Sequence, residues 1–349
     1  MKVVILQDYL RCGGTENQSI FLHNFLNSEG IDAHLIVFRG GGRLKNRVQN
    51  PEKLHTLQNS TLNWYAPKII STLNEIGPDR VILMGRNANL YGWFLKKKLT
   101  KNSKFISTMR SGRSLPFFYK WTLKSCDQTL VNSQYALELL RESKIETNAI
   151  SMIHNAYLYK RSSKRNEVHE RDDFIILNLA AFVPGKNHRA WIPICKELQS
   201  LMTGSFKIWL LGEGAEWNSF KKLVQKENLE DTILLHGYKE NPIEFYNQAD
   251  LAVSVSLEES LPNFLVEAQY NGLPVISYDT AGCKECFKDK KSGFLVPQND
   301  YRKVCFYIKK FANDQNLIKS MRSEALKFSG QNFSPSVIGQ KFIQVLNES

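Results

Sequence analysis

Short apolar runs alternate with amphipathic stretches along the first half of the chain. Runs of strand length occur at residues 3–6, 33–38, 80–84, 104–108 and 128–132. The stretch between two of them, 64–77, has helical spacing and ends at Gly77-Pro78, a helix stop signal. Alternation of this kind predicts a parallel sheet wrapped by helices.

The same pattern restarts after residues 159–173, a charged segment that we interpret as a linker. Further strands are predicted at 174–182, 206–212, 232–237, 251–256 and 274–278, and helices at 188–201 and 219–229. A chain of 349 residues is also longer than one core usually holds. We therefore predict an α/β protein of two Rossmann-like domains, 1–160 and 172–333, whose switch-point crevices face one cleft. The helical tail 334–349 could pack back on the first domain.

The net charge of +12 is concentrated in the first domain. Residues 1–160 hold 22 Lys+Arg against 11 Asp+Glu, whereas residues 161–349 hold 24 against 23. A basic first half fits nucleic acid, a phosphorylated acceptor or an anionic membrane surface as its partner. No nucleic-acid-binding motif is present, so we expect no nucleic acid partner.

Several classes of protein are disfavoured by the sequence. No apolar run is long enough to span a bilayer, and the N-terminus lacks the apolar core of a secretory signal, which predicts a cytoplasmic protein. Cys283 and Cys286 form a single CxxC, and a zinc site would need a second pair. With no Asp-x-Asp pair either, we expect no metal site.

The segment 256–285 carries the densest chemical signal. Pro262 follows a predicted strand and suits the first turn of a helix, so the amides of Asn263 and Phe264 would lack helical partners and favour a diphosphate. Glu267, eight residues after Glu259, could accept two hydrogen bonds from a ribose diol. Glu259, in the loop before the helix, could reach the sugar end of the same ligand. Either acid alone is better explained as a surface group that stabilises a helix start.

The whole segment resembles the signature of glycosyltransferase family 4, which has the GT-B fold. The matching residues are Ser256, Glu259, Pro262, Asn263, Glu267, Ala268, Gly272, Pro274 and Val275, and Ser260 stands in place of the usual Gly. The resemblance implies that Glu267 binds the donor ribose and that Glu259 faces the donor sugar. It also implies that Phe264 and Leu265 offer backbone amides near the pyrophosphate.

Other parts of the second half resemble the same family. The loop 180–187 resembles its phosphate-binding loop, which assigns Lys186 to the β-phosphate of the leaving nucleoside diphosphate. The family usually carries Arg at the position of Ala181, so one of two phosphate cations is missing. Gly212 lies in a loop that the resemblance places near the nucleotide, and Tyr238 in a segment that contacts the base.

The first half resembles the family less closely. Gly13 and Gly14 match its first glycine pair and would let backbone approach the donor, although a tight turn between strand and helix also explains them. Many members carry His where this chain has Arg110, which cannot act as a base but can bind phosphate or acceptor. Asn155 matches the family, and Ala156 replaces its usual Gly.

The resemblance implies a retaining, metal-independent transferase in which the leaving phosphate assists the incoming hydroxyl, with Glu259, Lys186 and Arg110 as the catalytic residues. No cofactor is expected; the co-substrate would be a UDP- or GDP-linked sugar. The acceptor would be a saccharide or a lipid-linked saccharide of bacterial surface polysaccharide or lipopolysaccharide synthesis. Two alternatives stay open: a nucleotide-sugar 2-epimerase, and a degenerate nucleotide-binding protein without catalysis.

Two stretches, 93–99 and 115–124, interleave aromatic residues with lysines. Helices of that composition can lie in a membrane interface with their lysines toward anionic lipid. An ordinary packed helix with solvated lysines explains them equally well. Together with the basic first domain, they suggest peripheral attachment at the inner face of the plasma membrane.

Overall fold

The computed structural model describes residues 1–62, 64–110, 117–157 and 173–348. The chain divides into two compact units, of which unit 1 comprises Met1–Leu158 and Ser334–Ser349, and unit 2 comprises Tyr159–Phe333. Apart from Asp173, the segment interpreted above as a linker lies outside the described residues.

Unit 1 contains a parallel sheet. Its strands are β1 (Lys2–Gln7), β2 (Asp32–Arg39), β3 (Leu54–Gln58), β4 (Arg80–Leu83), β5 (Lys104–Met109), β6 (Gln128–Val131) and β7 (Ile150–Met152), in the order β3-β2-β1-β4-β5-β6-β7. The helices that accompany them are α1 (Gly14–Ser28), α2 (Ile69–Ile76), α3 (Arg86–Lys98), α4 (Phe117–Ser125) and α5 (Gln134–Glu142). Alternate residues of β1 enter two separate clusters, Val3 and Ile5 in one and Val4 and Leu6 in the other. Both faces of the sheet are therefore covered, which explains the uninterrupted apolar runs.

Unit 2 repeats this architecture with a shorter parallel sheet. Its strands are β8 (Phe174–Leu179), β9 (Phe206–Leu211), β10 (Ile233–Gly237), β11 (Leu251–Ser254), β12 (Val275–Tyr278) and β13 (Gly293–Val296), in the order β10-β9-β8-β11-β12-β13. Its helices are α6 (Trp191–Leu201), α7 (Trp217–Lys226), α8 (Ile243–Gln248), α9 (Asn263–Tyr270), α10 (Tyr301–Asn313) and α11 (Gln315–Phe333). No helix in the described part of the chain is both long enough and apolar enough to cross a membrane.

The last helix, α12 (Pro335–Glu348), belongs to unit 1 although it follows unit 2 in sequence. Its residues Ile338, Phe342 and Leu346 join the cluster that also contains Val3 and Ile5. The Arg80 side chain donates a hydrogen bond from Nε to the Leu346 carbonyl at 3.2 Å. Unit 1 therefore completes one of its two cores with residues from the far end of the chain.

Each sheet reverses its strand order once, between β1 and β4 in unit 1 and between β8 and β11 in unit 2. Open α/β sheets bind ligands outside the carboxyl ends of the strands at such a reversal. The loops that follow these four strands are therefore the places to look for a functional site.

The predicted α/β class with parallel sheets is confirmed, and so are the strands predicted from apolar runs. Three strands were missed, all at the edge of a sheet: β3 is only partly buried, β7 has three residues, and β13 has four. The helix predicted over 64–77 was too long, because α2 occupies only Ile69–Ile76. It ends at Gly77, which adopts a left-handed φ of 61° and donates to the Leu73 carbonyl, as the stop signal predicted.

Two buried histidines make stability sensitive to acid. Burial lowers the pKa of His23 to about 4, and burial together with the charge of Lys186 lowers that of His188 to about 4, from an ordinary 6.5. The unfolded chain therefore binds more protons than the folded one below about pH 6.5, and stability falls as the pH drops from there to about 4. This difference in pKa between the unfolded and folded states corresponds to about 3 kcal/mol of unfolding free energy per histidine.

We expect His188→Phe, which keeps the ring that stacks on Phe182 at a centroid distance of 3.7 Å, to weaken this acid sensitivity. Urea unfolding should show a smaller loss of stability between about pH 6.5 and 4 than in the native protein. Trp217→Phe serves as a control, since it alters another ring that packs on Phe182 without removing a titratable group, and it should leave the slope unchanged. An identical pH dependence in native protein and His188→Phe would contradict the prediction.

Candidate functional site

The loops after β8 and β11 meet at the switch point of unit 2. Lys186 lies on the short 3-10 helix Pro184–Lys186, and its ammonium forms an ion pair with the carboxylate of Glu259. The Leu257 amide donates to the Gly185 carbonyl at 2.9 Å, which ties the two loops together through their backbones. The partners of this ion pair are both mostly buried, with side-chain exposures of 25% and 11%. A cation and a carboxylate that lie 73 residues apart in sequence are thus in contact.

Asn187 adds a second tie between these loops. It adopts a left-handed φ of 55°, and its side-chain amide donates to the Val255 carbonyl at 3.3 Å. Asn is one of the few residues other than glycine that tolerates this backbone conformation. The sequence interpretation did not single it out, because only the fold reveals its partner.

The helix start predicted at Pro262 is present, with one correction. Pro262 has an extended backbone and stands immediately before α9, as its N-cap, rather than in its first turn. Leu265 donates its amide to the Pro262 carbonyl at 3.0 Å, so this amide is already paired. In the described part of the chain the Phe264 amide has no acceptor, which agrees with an anion site at the helix start.

Glu267 lies inside α9 and is 7% exposed. The Tyr246 hydroxyl, on α8, donates to its Oε2 at 2.7 Å and fixes the position of the carboxylate. A buried carboxylate held in this way can accept hydrogen bonds from a ligand hydroxyl at its other lone pairs. Tyr246 is a positioning residue that the sequence interpretation missed, because nothing in the composition of α8 marks it.

Two glycines hold the surrounding loops close together. Gly212 has a φ of 139°, and a Cβ there would overlap the Ala180 carbonyl. Gly282 donates its amide to the Glu259 carbonyl at 3.3 Å, and a Cβ there would overlap the Ser260 carbonyl. The loops that carry Ala180 and Glu259 are thus packed against backbone with no space for a side chain.

The remaining predicted residues of unit 2 lie at the same edge of the sheet. Tyr238 directly follows β10 and is partly buried, and the neighbouring Gly237 accepts a hydrogen bond from the Gly212 amide at 2.9 Å. Ala181, in the loop after β8, is exposed. The structure thus leaves open surface where the family pattern has a second cation.

Gly13 and Gly14 lie at the start of α1 in unit 1. Gly13 has an ordinary extended backbone with a φ of −83°, so its conformation does not require glycine. The carboxylate of Glu16 lies over it and pairs with Arg11 at 3.5 Å. The space beside Gly13 is therefore occupied by a side chain that is able to move.

Arg110 directly follows β5, and its guanidinium donates to the side-chain oxygen of the buried Asn155. Burial lowers the pKa of Arg110 to about 10, although it stays charged at neutral pH. Within the described ranges no carboxylate pairs with it. A partly buried cation with no counter-ion is suited to an anionic ligand.

The predicted residues thus form two groups. Lys186, Glu259 and the start of α9 are in one place in unit 2, with Gly212 and Tyr238 at the same edge, whereas Gly13, Gly14 and Arg110 belong to unit 1. An ammonium, a helix start and two carboxylates together suit a ligand that carries both phosphate and hydroxyl groups. In the part of the chain that is described, no group of three or more His, Cys, Asp or Glu residues is placed to hold a metal ion.

The segment that carries this site matches a family model, and the chain has relatives among known proteins. Residues 160–328 match the family model described as glycosyl transferases group 1. An uncharacterized glycosyltransferase of Methanocaldococcus jannaschii is 28% identical over 237 residues, which cover 61% of this chain and 58% of that protein. The N-acetylgalactosamine-N,N'-diacetylbacillosaminyl-diphospho-undecaprenol 4-alpha-N-acetylgalactosaminyltransferase of Campylobacter jejuni is 27% identical, over 57% of this chain and 54% of that one. This chain thus spans about half the length of these curated relatives.

A solved structure resembles the chain along its full length. The Anabaena protein HepE in complex with UDP-glucose is 19% identical and superposes with a TM-score of 0.83, covering 100% of both chains. This likeness establishes the fold. Residues 160–328 are thus similar to the glycosyl transferases group 1 family, and the chain has the GT-B fold.

Proposed function

We propose that this protein is a retaining, metal-independent glycosyltransferase of the family 4 type, which moves a sugar from a nucleotide-sugar donor to a saccharide or lipid-linked saccharide. The observation that carries the proposal is the contact of Lys186 with Glu259 beside the start of α9, at the switch point of unit 2. The family match over residues 160–328 includes all three of these features.

The donor is held by unit 2 in this proposal. Lys186 and the Phe264 amide bind the diphosphate, and Glu267 accepts hydrogen bonds from the ribose hydroxyls. Glu259 contacts the donor sugar once Lys186 has turned to the phosphate. We favour a UDP-linked sugar, because HepE was solved with UDP-glucose.

The transfer step needs little from the protein besides charge stabilisation. As the bond between the anomeric carbon and the phosphate breaks, negative charge grows on the diphosphate, and Lys186 stabilises it. The acceptor hydroxyl attacks from the same face and passes its proton to the leaving phosphate, so the anomeric configuration is retained. Arg110, a cation in a partly buried position, binds phosphate or an anionic group of the acceptor.

Two alternatives to a transferase are considered, and the first differs from it in whether the reaction needs an acceptor. A nucleotide-sugar 2-epimerase would convert its donor with no acceptor present, whereas a transferase would need one. Ala181 and Arg110, which depart from the family pattern, favour a binding protein without catalysis. The buried Glu267 and the Lys186–Glu259 contact favour transfer.

We further propose that unit 1 attaches to an anionic membrane surface through exposed aromatics of α3 and α4. Trp121 lies with its ring centroid 5.1 Å from Trp93 and 5.5 Å from Phe118, and the Lys97 ammonium lies 4.4 Å over the Trp93 ring. We call this set the α3–α4 patch: Trp93, Phe94, Lys97, Lys98, Phe118, Lys120, Trp121 and Lys124. Leu115 and Pro116, included in the sequence-based prediction, lie outside the described residues.

The chemistry of the patch suits the inner face of a bacterial plasma membrane. Phe118 is 57% exposed and Phe94 39% exposed, and the same two helices carry exposed lysines. Aromatic rings favour the interface and lysines favour anionic headgroups. A membrane location also fits a lipid-linked acceptor such as the one that the name of the Campylobacter relative specifies. We place the reaction in bacterial surface polysaccharide or lipopolysaccharide synthesis.

Lys186→Ala and Glu267→Ala should each lower turnover of UDP-glucose by roughly 10², the scale for losing one charge-stabilising contact. Tyr246→Phe, which removes only the hydroxyl that holds Glu267, should have a smaller effect in the same direction. The exposed Lys222 provides a control, because Lys222→Ala should leave the turnover of UDP-glucose unchanged. Release of UDP in the presence of a saccharide acceptor measures the rate, and unaltered rates in the first two variants would refute the site.

Glu259→Gln should bind UDP more tightly than the native protein and yet transfer more slowly. In the structure Glu259 occupies the place of an anion on Lys186, so a diphosphate must compete with it. Calorimetry should show about a tenfold gain in affinity, as expected for the loss of one charge-assisted competitor. Glu258→Gln removes the same charge from the same loop without touching Lys186, and it should leave the affinity for UDP unchanged. Equal effects in both variants would indicate long-range charge alone.

The double variant Phe118→Ser, Trp121→Ser should lose binding to phosphatidylglycerol vesicles, because it removes the aromatic part of the α3–α4 patch. Native protein should float with these vesicles and only weakly with phosphatidylcholine vesicles, and salt should release it. Trp64 is an exposed aromatic of unit 1 outside the patch, at 57% exposure, so Trp64→Ser is the control. Flotation that survives in the double variant would show that the patch is an ordinary packed surface.

A further inference from the structure

Two histidines lie side by side near the start of neighbouring strands of unit 1. His34 is the third residue of β2, and His55 is the second residue of β3. The sheet register sets Ile36 beside His55, so His34, two residues before Ile36, lies on the same face of the sheet. The two rings are close enough to bond, with His34 Nδ1 3.0 Å from His55 Nε2.

A carboxylate sets the position of the hydrogen on the first ring. Burial lowers the pKa of both imidazoles, so both are neutral at neutral pH. Asp32 Oδ1 lies 3.3 Å from His34 Nε2, so this nitrogen carries the hydrogen and donates it to Asp32. His34 Nδ1 therefore holds a lone pair and accepts a hydrogen bond from His55 Nε2. Histidines that bind metal ions are usually held in this way, with a carboxylate on the nitrogen that faces away from the metal.

The distance between the two facing nitrogens suits a shared metal ion. Nitrogens bound at about 2.0–2.1 Å to one ion are about 2.9 Å apart at a right angle and about 3.4 Å apart at the tetrahedral angle. The separation of 3.0 Å falls within this range. The His34 side chain is 16% exposed and His55 is partly exposed, so an ion can reach the pair from solvent.

The charges around the pair are balanced. Lys53 and Lys2 both lie near the Asp32 carboxylate, at 2.8 and 3.8 Å, and their positive charges act on the His34 side. Glu75 of α2 acts on His55 with the opposite sign. Two lysines and two carboxylates therefore leave no excess of positive charge to repel a cation.

The ligand atoms select the kind of ion. Neutral imidazole binds zinc, nickel and copper well, whereas magnesium and calcium prefer oxygen ligands. Among the residues with described positions, no third His, Cys, Asp or Glu completes a metal-binding group, so water fills the remaining coordination positions. The sequence gave no sign of this pair, because the histidines are 21 residues apart on separate strands and match no ligand spacing.

We propose that His34 Nδ1 and His55 Nε2 bind one divalent ion of the zinc, nickel and copper class, with Asp32 orienting His34. On binding, the hydrogen on His55 Nε2 moves through solvent to Nδ1 of the same ring, so no net proton is released. The ion connects β2 to β3, an edge strand that is only partly buried, and stabilises the folded chain by mass action. The site lies near the start of its strands, away from the carboxyl ends, and is independent of the proposed transfer reaction.

Calorimetry with zinc chloride on the full chain tests the pair. Native protein should bind a single equivalent of zinc, and magnesium chloride should give no binding. Asp32→Asn should weaken zinc binding by about tenfold, the lower end for loss of a group that orients a ligand. His34→Gln and His55→Gln should each weaken it further than that. His154→Gln is the control, because it removes another partly buried histidine of unit 1 and should leave the zinc affinity unchanged.

Histidine ¹⁵N NMR of the native protein adds a readout that does not depend on how any variant folds. Zinc should shift His34 Nδ1 and His55 Nε2, move the hydrogen of His55 to its Nδ1 and leave that of His34 on Nε2. Zinc that does not bind native protein, or that binds both glutamine variants as tightly, overturns the assignment. A zinc-bound His34 with its hydrogen on Nδ1 would also overturn it, since the ion would then sit on the side of Asp32.

Discussion

The parallel pairing of β8 with β11 is the constraint on which the donor site depends. Leu251 is in register with Ile176, and Ala252 with Leu177, so the two strands end side by side and their loops leave the sheet together. Ile176 and Leu251 pack in the core on one face and Leu177 and Ala252 in the core on the other, so packing on both faces holds this register. Lys186 and Glu259 meet as a consequence, although neither carries any information about the other in the sequence.

The polar groups at the carboxyl edges of the two sheets are stabilised differently in the two units. In unit 2 the loops are fixed by backbone hydrogen bonds and by glycines with no space for a side chain, and the ion pair satisfies the charges in the absence of ligand. In unit 1 the corresponding edge has a partly buried guanidinium without a carboxylate partner among the described residues, and a buried amide oxygen, that of Gln7, without a donor. A site that is already satisfied must exchange partners when its ligand arrives, whereas an unsatisfied one gains them.

The sequence predicted most of the fold, because both sheets are covered on two faces and their strands are uninterrupted apolar runs. It failed for β3, β7 and β13, where edge positions or short length weaken that signal. The spacing of Glu259, Pro262 and Glu267 indicated a helix start with two acids, which the structure has. Contacts made through tertiary structure, such as Tyr246 with Glu267, were not predictable, since a tyrosine in an amphipathic helix is usually a core residue.

The position of α12 has a consequence for the order in which the protein can mature during synthesis. Phe25 of α1 packs against Gly339 so closely that a Cβ there would overlap its ring, and this surface stays uncovered until residues 335–348 leave the ribosome. Unit 2 is translated before then and can close its own core first. Unit 1 is synthesised earlier, but an apolar face of α1 stays exposed until α12 is available. Unit 1 therefore completes its folding after unit 2.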